Sequence, residues 1–221
     1  MTKLISVIIP VKNGSNYVKE AIDSVFSQGV DLEVIVVDDG STDNTARIAR
    51  DAGCLVISHP ACKGQVAAKN TGLGIAKGEY VMFLDHDDVL RPGALKELYE
   101  AIESDPSVSA VEAKVQDYLS PEISSMPGVL VRPDPYFGLF TGAILIRRSA
   151  FDVIGKFSEN INTGEIFEWA SKMDQNHLII KKIDLVSTDR RIHLTNYGRT
   201  DKNKEMRDYA AVLRAMLRSR K

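Results

Sequence analysis

Residues 78–90, GEYVMFLDHDDVL, join a short apolar run directly to a group of carboxylates. The run at residues 80–84 (YVMFL) is continuously apolar, which predicts a strand buried on both faces. Asp85, His86, Asp87 and Asp88 follow it with no intervening turn residues. In open parallel sheets, ligands bind beyond the carboxyl ends of the strands, so these four residues mark a candidate site.

Apolar runs of this kind alternate with helical patterns through the first half of the chain. The predicted strands lie at residues 4–10, 32–37, 55–58 and 80–84, and the predicted helices at residues 17–28, 41–52, 65–76 and 92–104. Strands that alternate with helices at this pace predict βαβ units, with parallel pairing and right-handed crossovers.

The second half of the chain has a mixed pattern. It predicts strands at residues 108–115, 143–146 and 178–183, a further strand-like stretch at 185–188, helices at 165–173 and 204–217, and a Pro/Ser-rich loop at 119–135. No internal repeat or flexible linker separates the halves. We therefore expect a single α/β domain over residues 1–221, with a mainly parallel central sheet flanked by helices.

Composition is ordinary for a soluble globular protein, with 44% hydrophobic and 26% charged residues among 221. The N-terminal apolar run is too short to span a membrane, and no small-residue cleavage site follows it. These features predict a cytoplasmic protein, in which Cys54 and Cys62 are reduced thiols.

Charge is divided unevenly along the chain. Residues 190–221 hold ten Lys and Arg against three Asp and Glu, whereas the preceding residues are net acidic. The acidic body argues against a nucleic-acid partner. The basic segment contains the amphipathic pattern at 204–217, for which docking on the body is the default expectation. The alternative is contact with an anionic membrane surface or an acidic acceptor.

The predicted strand ends gather carboxylates at one edge of the sheet. Asp38 and Asp39 follow the second run, and Asp85, Asp87 and Asp88 follow the fourth. Like charges this close favour a bound cation, and Mg²⁺ or Mn²⁺ with oxygen ligands would also bind a diphosphate. For residues 38–43 alone, helix capping by solvated side chains is the preferred interpretation.

Four stretches resemble, in order and spacing, the successive motifs of family-2 glycosyltransferases: SVIIPVKNG (6–14), VVDDGSTDNT (36–45), GQVAAKNTG (64–72) and GEYVMFLDHDDVL (78–90). The resemblance implies a GT-A fold with a nucleotide-sugar-binding half (1–116), an acceptor-binding half (117–189) and the basic C-terminal segment (190–221). It also implies an inverting transfer, with a UDP-sugar as the favoured donor. A glycan, a lipid-linked sugar, a peptide or a small molecule would be the acceptor, and the oligomeric state stays open.

The resemblance also implies roles for individual residues. The residues expected to bind the nucleotide sugar are Pro10, Val11 and Asn13 beside the base and ribose, Asp39 on the base, Lys69 near the phosphates or ribose, and Asp85 towards the ribose. The metal would be held by Asp87, with Asp88 and His193 as further candidate ligands. Neutral imidazole at His193 suits Mn²⁺ better than Mg²⁺.

The general base is expected at the start of the helix predicted at 165–173. Family members usually carry a Glu-Asp pair there, and this chain has Glu165 followed by Ile166. Glu165 is the preferred base, since a carboxylate at a helix N-terminus is favoured by the dipole, and Glu168 is the alternative. Both could also be ordinary helix acids.

Two other functions compete with this one. A sugar nucleotidyltransferase would carry a Gly-rich, basic loop after its first strand, but residues 11–16 hold one Gly and one Lys. A non-catalytic nucleotide- or carbohydrate-binding module of the same fold stays open, because the Glu-Asp pair is incomplete.

Overall fold

The computed structural model describes residues 3–123, 131–161 and 164–194. In them one sheet contains eight strands: β1 (Ile5–Val11), β2 (Leu32–Asp38), β3 (Leu55–Ser58), β4 (Tyr80–Phe83), β5 (Val89–Leu90), β6 (Val108–Leu119), β7 (Ile144–Arg147) and β8 (Ile179–Ile192). The helices of the described residues are α1 (Val18–Phe26), α2 (Thr45–Asp51), α3 (Gln65–Ile75), α4 (Ala94–Glu103), α5 (Ala150–Ile154) and α6 (Glu165–Gln175). The strand order is β3-β2-β1-β4-β7-β6-β8-β5.

The first half of the chain forms the parallel part of this sheet. β1 lies between β2 and β4 and is parallel to both, and β3 is parallel to β2. Every residue of β1 and β4 is buried, as continuous apolar runs require of strands that are covered on both faces. The predicted α/β architecture is confirmed.

The second half makes the sheet mixed. β7 is antiparallel to β4 and β6, whereas β8 is parallel to β6 and antiparallel to the short β5. β8 has 14 residues, so the strand predicted at 178–183 was too short. Lys, Asp and Arg side chains interrupt its apolar pattern, although its backbone continues to pair with β6 through register shifts. β5 and α5 were not predicted.

Alternate residues of β1 contribute to separate hydrophobic clusters on the two faces of the sheet. Ile5, Val7 and Ile9 pack in the cluster that contains the apolar sides of α1 and α4. Ile8 packs in the other cluster, with α3 and α6. Trp169 of α6 belongs to this second cluster and is 2% exposed.

The helix predicted at residues 204–217, and with it most of the basic segment 190–221, lies outside the described residues. None of the helices in the described ranges combines the length and apolar character that a bilayer crossing requires. Cys54 and Cys62 are both free thiols.

Candidate active site

The carboxyl ends of β1, β2 and β4 lie side by side and carry most of the predicted site residues. Backbone pairing continues past the strand ends: the Asp39 N–H donates to the Val11 carbonyl at 2.7 Å, and the Leu84 N–H donates to the Ile8 carbonyl at 3.0 Å. Pro10 and Val11 occupy the buried end of β1. The loops that begin at residues 12, 39 and 84 therefore leave the sheet at the same edge.

Asn13 joins the first two of these loops. It has a positive φ of 51°, its N–H donates to Ser41 Oγ at 2.8 Å, and its Oδ1 accepts from the Thr42 N–H at 2.9 Å. Asp43 accepts from the Thr45 N–H at 3.0 Å, at the start of α2. Asp43 also accepts from the Ser15 N–H at 3.1 Å and so links the first loop to the start of α2, whereas Asn13 fixes the loop beside the end of β1.

Asp39 is 3% exposed and holds the segment 59–64 against the end of β2. Its Oδ1 lies 2.7 Å from His59 Nδ1 and accepts from the Lys63 N–H at 2.8 Å. Its Oδ2 accepts from the Gly64 N–H at 2.8 Å and from Cys62 Sγ at 3.0 Å. Burial raises the pKa of Asp39, but the hydrogen bonds from His59 and the segment backbone outweigh it and lower the pKa.

Lys69 and Glu165 form a buried ion pair between α3 and α6. Lys69 Nζ lies 2.6 Å from Glu165 Oε1 and donates to Thr141 Oγ1 at 3.1 Å. The two charged side chains are 3% and 7% exposed. Burial lowers the pKa of Lys69, but the carboxylates of Glu165 and Asp85 outweigh it and raise the pKa. The ammonium group therefore stays charged inside the site.

Asp85 lies within electrostatic reach of this pair. Its Oδ1 accepts from Gln65 Nε2 at 2.7 Å. The pKa of Asp85 is raised, first by burial and then, against the opposing charge of Lys69, by Asp87 and Glu165. Around Asp85, the carboxylates of Asp87 and Glu165 thus oppose its ionisation and the ammonium of Lys69 favours it. A bound cation would add to that favourable charge.

Asp87 is paired with His193, which follows the end of β8. Asp87 Oδ2 lies 2.7 Å from His193 Nε2, and both side chains are largely buried. Burial raises the pKa of Asp87, but the hydrogen bond with His193 outweighs it and lowers the pKa. The His193 ring also packs on Tyr17, with 4.7 Å between the ring centroids. The structure therefore brings together two predicted metal ligands that are 106 residues apart.

Asp88, the third predicted ligand, contacts the backbone of β8. It is 9% exposed, and its Oδ1 accepts from the Arg191 N–H at 3.0 Å. Burial, followed by the charges of Asp87 and Asp85, raises the pKa of Asp88 well above its usual range.

Asp87 and His193 are the residues best placed to hold a metal ion. Among the residues that the structure describes, no three His, Cys, Asp or Glu side chains form a ready set of ligands. Mg²⁺ is usually held by one or two carboxylates together with substrate phosphates and water, and imidazole also suits Mn²⁺. The Asp87–His193 pair therefore fits a cation that binds together with a diphosphate.

Glu168, the second candidate base, lies one turn after Glu165 on α6, which begins after Gly164 with a φ of 79°. Its Oε1 lies 3.1 Å from Lys172 Nζ. Its Oε2 is buried and has no hydrogen-bond partner in the described part of the chain. The two glutamates thus differ: Glu165 interacts with Lys69 and Asp85, and Glu168 pairs along its own helix.

Several residues that contact the predicted site residues were not predicted, among them Tyr17, His59, Cys62 and Gln65. Gln65 carried a usable signal, because it lies four residues before Lys69 and so on the same face of a predicted helix. His59 and Cys62 had no local signal, since their partner Asp39 lies 20 and 23 residues away in the sequence.

Comparison with known sequences identifies relatives of this chain. The sequence model described as "Glycosyl transferase family 2" matches residues 6–155. Glycosyltransferase GlyG of Streptococcus pneumoniae is 35% identical over 109 residues, covering 47% of this chain and 36% of that protein. The uncharacterized glycosyltransferase EpsJ of Bacillus subtilis is 38% identical over 109 residues, covering 47% and 31%. The matches thus span about a third of these relatives.

Solved structures share the fold. Staphylococcus aureus TarS 1-349 in complex with UDP superposes with a TM-score of 0.70 at 22% identity, covering 96% of this chain and 64% of that one. The mannosyltransferase PcManGT from Pyrobaculum calidifontis, in complex with GDP-Man and Mn²⁺, gives a TM-score of 0.78 at 19% identity, covering 99% and 65%. The GT-A fold expected from the motifs is confirmed.

Proposed function

The chain belongs to glycosyl transferase family 2, and from this premise we propose that it transfers a sugar from a nucleotide-sugar donor to an acceptor hydroxyl. The favoured donor is a UDP-sugar, the reaction inverts the anomeric carbon, and Mg²⁺ or Mn²⁺ assists. The observation that carries the proposal is the buried cluster of Lys69, Asp85, Asp87 and Glu165 beyond the parallel strands. The same fold has been solved with UDP, and with GDP-Man and Mn²⁺.

The nucleoside binds at the ends of β1 and β2. Pro10 and Val11 form the floor of this part of the site, and Asn13 fixes the loop beside it. Asp39 borders the base. Because its two oxygens already accept hydrogen bonds from residues 59–64, Asp39 also shapes this side of the pocket by holding that segment.

The diphosphate binds near Asp87. Asp87 and His193 hold the cation, with Asp88 beside them and Asp85 towards the ribose. When bound, the cation stabilises the negative charge that develops on the departing nucleoside diphosphate. Burial of these carboxylates strengthens their interaction with the ion, since the local dielectric constant is lower than in water.

Glu165 acts as the general base. It accepts the proton of the acceptor hydroxyl as that oxygen attacks the anomeric carbon, which requires an ionised and oriented carboxylate. Lys69 orients this carboxylate, because its ammonium group lies 2.6 Å from Glu165 Oε1. Glu168 is the alternative base, since its Oε2 is buried without a hydrogen-bond partner in the described residues.

Release of free nucleotide from a panel of UDP-sugars and GDP-mannose, with Mn²⁺ and a mixture of acceptor glycosides, tests the proposal. Glu165→Gln should bind UDP normally and lose about 10²- to 10⁴-fold in turnover, the usual contribution of a general base. Glu168→Gln, the matched control on the same helix, should stay within a few-fold of wild type. The reverse result would assign the base to Glu168, and no release from any donor by the wild-type chain would contradict the function.

A further inference from the structure

A second concavity lies beside the candidate active site. It is an open depression lined by the segment 136–140 (YFGLF), β6, β8 and α6, and its volume is about 430 Å³. Small-molecule sites usually measure roughly 300–1,000 Å³. We call it the aromatic pocket. The lining residues that matter for its chemistry are Glu112, Arg132, Phe137, Phe140, Phe167 and Lys182.

Glu112 contributes a buried carboxylate to the wall of this pocket. It is 1% exposed, and its Oε1 accepts from the Leu139 N–H at 3.0 Å. Its Oε2 is also buried but has no hydrogen-bond partner among the described residues, and Lys182 Nζ lies 3.5 Å from it. The Lys182 ammonium balances the charge of Oε2 without a hydrogen bond to it, so Oε2 is able to accept a hydrogen bond from a donor on a ligand.

The rest of the wall combines aromatic rings with cations. The Lys182 ammonium lies 5.0 Å from the centre of the Phe137 ring, and the Arg190 guanidinium lies 5.0 Å from that of Phe140. These contacts hold the rings in place. Rigid aromatic surfaces provide apolar contact area for the C–H groups of a compact ring, while its polar groups reach the carboxylate.

The pocket is continuous with the elements that carry the proposed base. Phe140 directly precedes Thr141, whose hydroxyl accepts from Lys69. Phe167 lies on α6 between Glu165 and Glu168. The pocket and the proposed base are therefore built on the same two segments, the turn at 140–141 and α6.

We propose that the aromatic pocket binds a saccharide unit of the acceptor, with one sugar hydroxyl donating to Glu112 Oε2. The inference rests on the proposed function and names its acceptor class, a glycan or glycoconjugate. Sugar hydroxyls supply the missing donor, and the aromatic walls suit a sugar ring. Arg132 and Lys182 line the same pocket and repel the other obvious donors to a carboxylate, the cationic groups of a basic peptide.

Ligand-observed NMR of the full chain with methyl glycosides of glucose, galactose, N-acetylglucosamine and glucuronic acid tests this assignment. Glu112→Gln keeps an oxygen for the Leu139 N–H but turns the other atom into a donor. We expect at least one glycoside to bind wild type, and its affinity for Glu112→Gln to be about ten- to a hundredfold lower. This is the usual contribution of a hydrogen bond to a charged group. Phe137→Ala, which removes one aromatic ring from the pocket wall, should weaken binding of the same glycoside even if Glu112→Gln folds poorly.

Asp51→Asn is the control, because it also replaces a carboxylate by an amide, lies on α2 away from the pocket, and has a side chain that is 67% exposed. It should bind glycoside like wild type. Failure of every glycoside to bind wild type, undiminished binding by both pocket variants, or preferential binding of trilysine would overturn the proposal. UDP affinity, measured in parallel, should be unchanged in all variants, whereas its absence from the wild-type chain would count against the proposed function.

Discussion

At the scale of single residues, the Lys69–Glu165 pair governs the electrostatics of the site. The two groups are buried. Lys69 also has the largest effect among the positive charges that lower the pKa of Asp85. A charge buried without its partner is costly, whereas an intact buried pair adds little net stability. Removing one member should therefore be worse than removing both.

Lys69→Met should lower the free energy of unfolding by about 3–5 kcal/mol, because Glu165 and Asp85 lose their cation. The double variant Lys69→Met/Glu165→Gln should recover part of that loss. Urea denaturation measures both. Lys172→Met is the control, since its pair with Glu168 is partly exposed and should contribute less than about 1 kcal/mol. Equal losses in Lys69→Met and Lys172→Met would contradict this account of the pair.

Asp43 gives a pH-dependent prediction. Burial raises its pKa, but hydrogen bonds from Thr45 and Ser15 outweigh it and lower the pKa from 3.8 to about 2. A lowered folded-state pKa stabilises the protein above pH 3.8, and this contribution is lost as the pH falls towards 2. Asp43→Asn should cost about 1 kcal/mol at pH 7, a value reduced for the exposure of the side chain.

Urea denaturation between pH 7 and pH 3 should show the gap between wild type and Asp43→Asn narrowing below about pH 4. Asp51→Asn, whose weak pair with Arg47 is exposed, controls for the loss of one surface charge. A gap that stays constant over this range would show that the Asp43 hydrogen bonds do not set its pKa.

At the scale of secondary-structure elements, the position of α3 depends on Gly72. A Cβ atom built on Gly72 would lie 2.4 Å from Ile8 Cγ2 of β1, which is far inside van der Waals contact. The helix approaches the sheet this closely beside Lys69, so the spacing of α3 from β1 also fixes the origin of the Lys69 side chain.

Gly72→Ala should therefore destabilise the protein by about 1–3 kcal/mol, the usual cost of overpacking a core, and lower the melting temperature by several degrees. Gly74→Ala on the same helix is the control. Its Cβ would meet only the end of Lys156 at 3.4 Å, so helix propensity should make it neutral or stabilising. Thermal unfolding followed by circular dichroism compares them, and equal melting temperatures would refute the close-packing argument.

The elements differ in how far the sequence predicts them. β1, β2 and β4 were predicted within two residues at each end, because buried parallel strands are continuous apolar runs. The partly exposed edge strand β3 was predicted with its observed bounds. β8 was not, because its charged residues conceal a strand whose extent depends on pairing with β6. Asp39, Asp85 and Asp87 stood out by their position after strands. The contacts of His59 with Asp39 and of Lys69 with Glu165 are set by tertiary packing, which no local pattern reveals.

At the scale of the whole molecule, sheet topology accounts for the acidic edge. β1 lies between β2 and β4, so the segments after these strands carry Asp39, Asp85 and Asp87 to the same edge. The second half contributes Glu165 and His193, which close the cluster from α6 and from the end of β8. Residues from both halves of the chain thus form the proposed site. A bound cation would reduce the repulsion between its carboxylates.

Isothermal titration calorimetry with UDP, in Mn²⁺ and in EDTA, measures whether a cation bound at Asp87 strengthens nucleotide binding. For wild type and for the surface control Asp51→Asn, Mn²⁺ should strengthen UDP binding by about tenfold or more, because the ion links the diphosphate to Asp87. In Asp87→Asn that difference between Mn²⁺ and EDTA should largely disappear. UDP affinity that is the same in Mn²⁺ and EDTA for wild type, or a Mn²⁺ effect that survives in Asp87→Asn, would contradict the account.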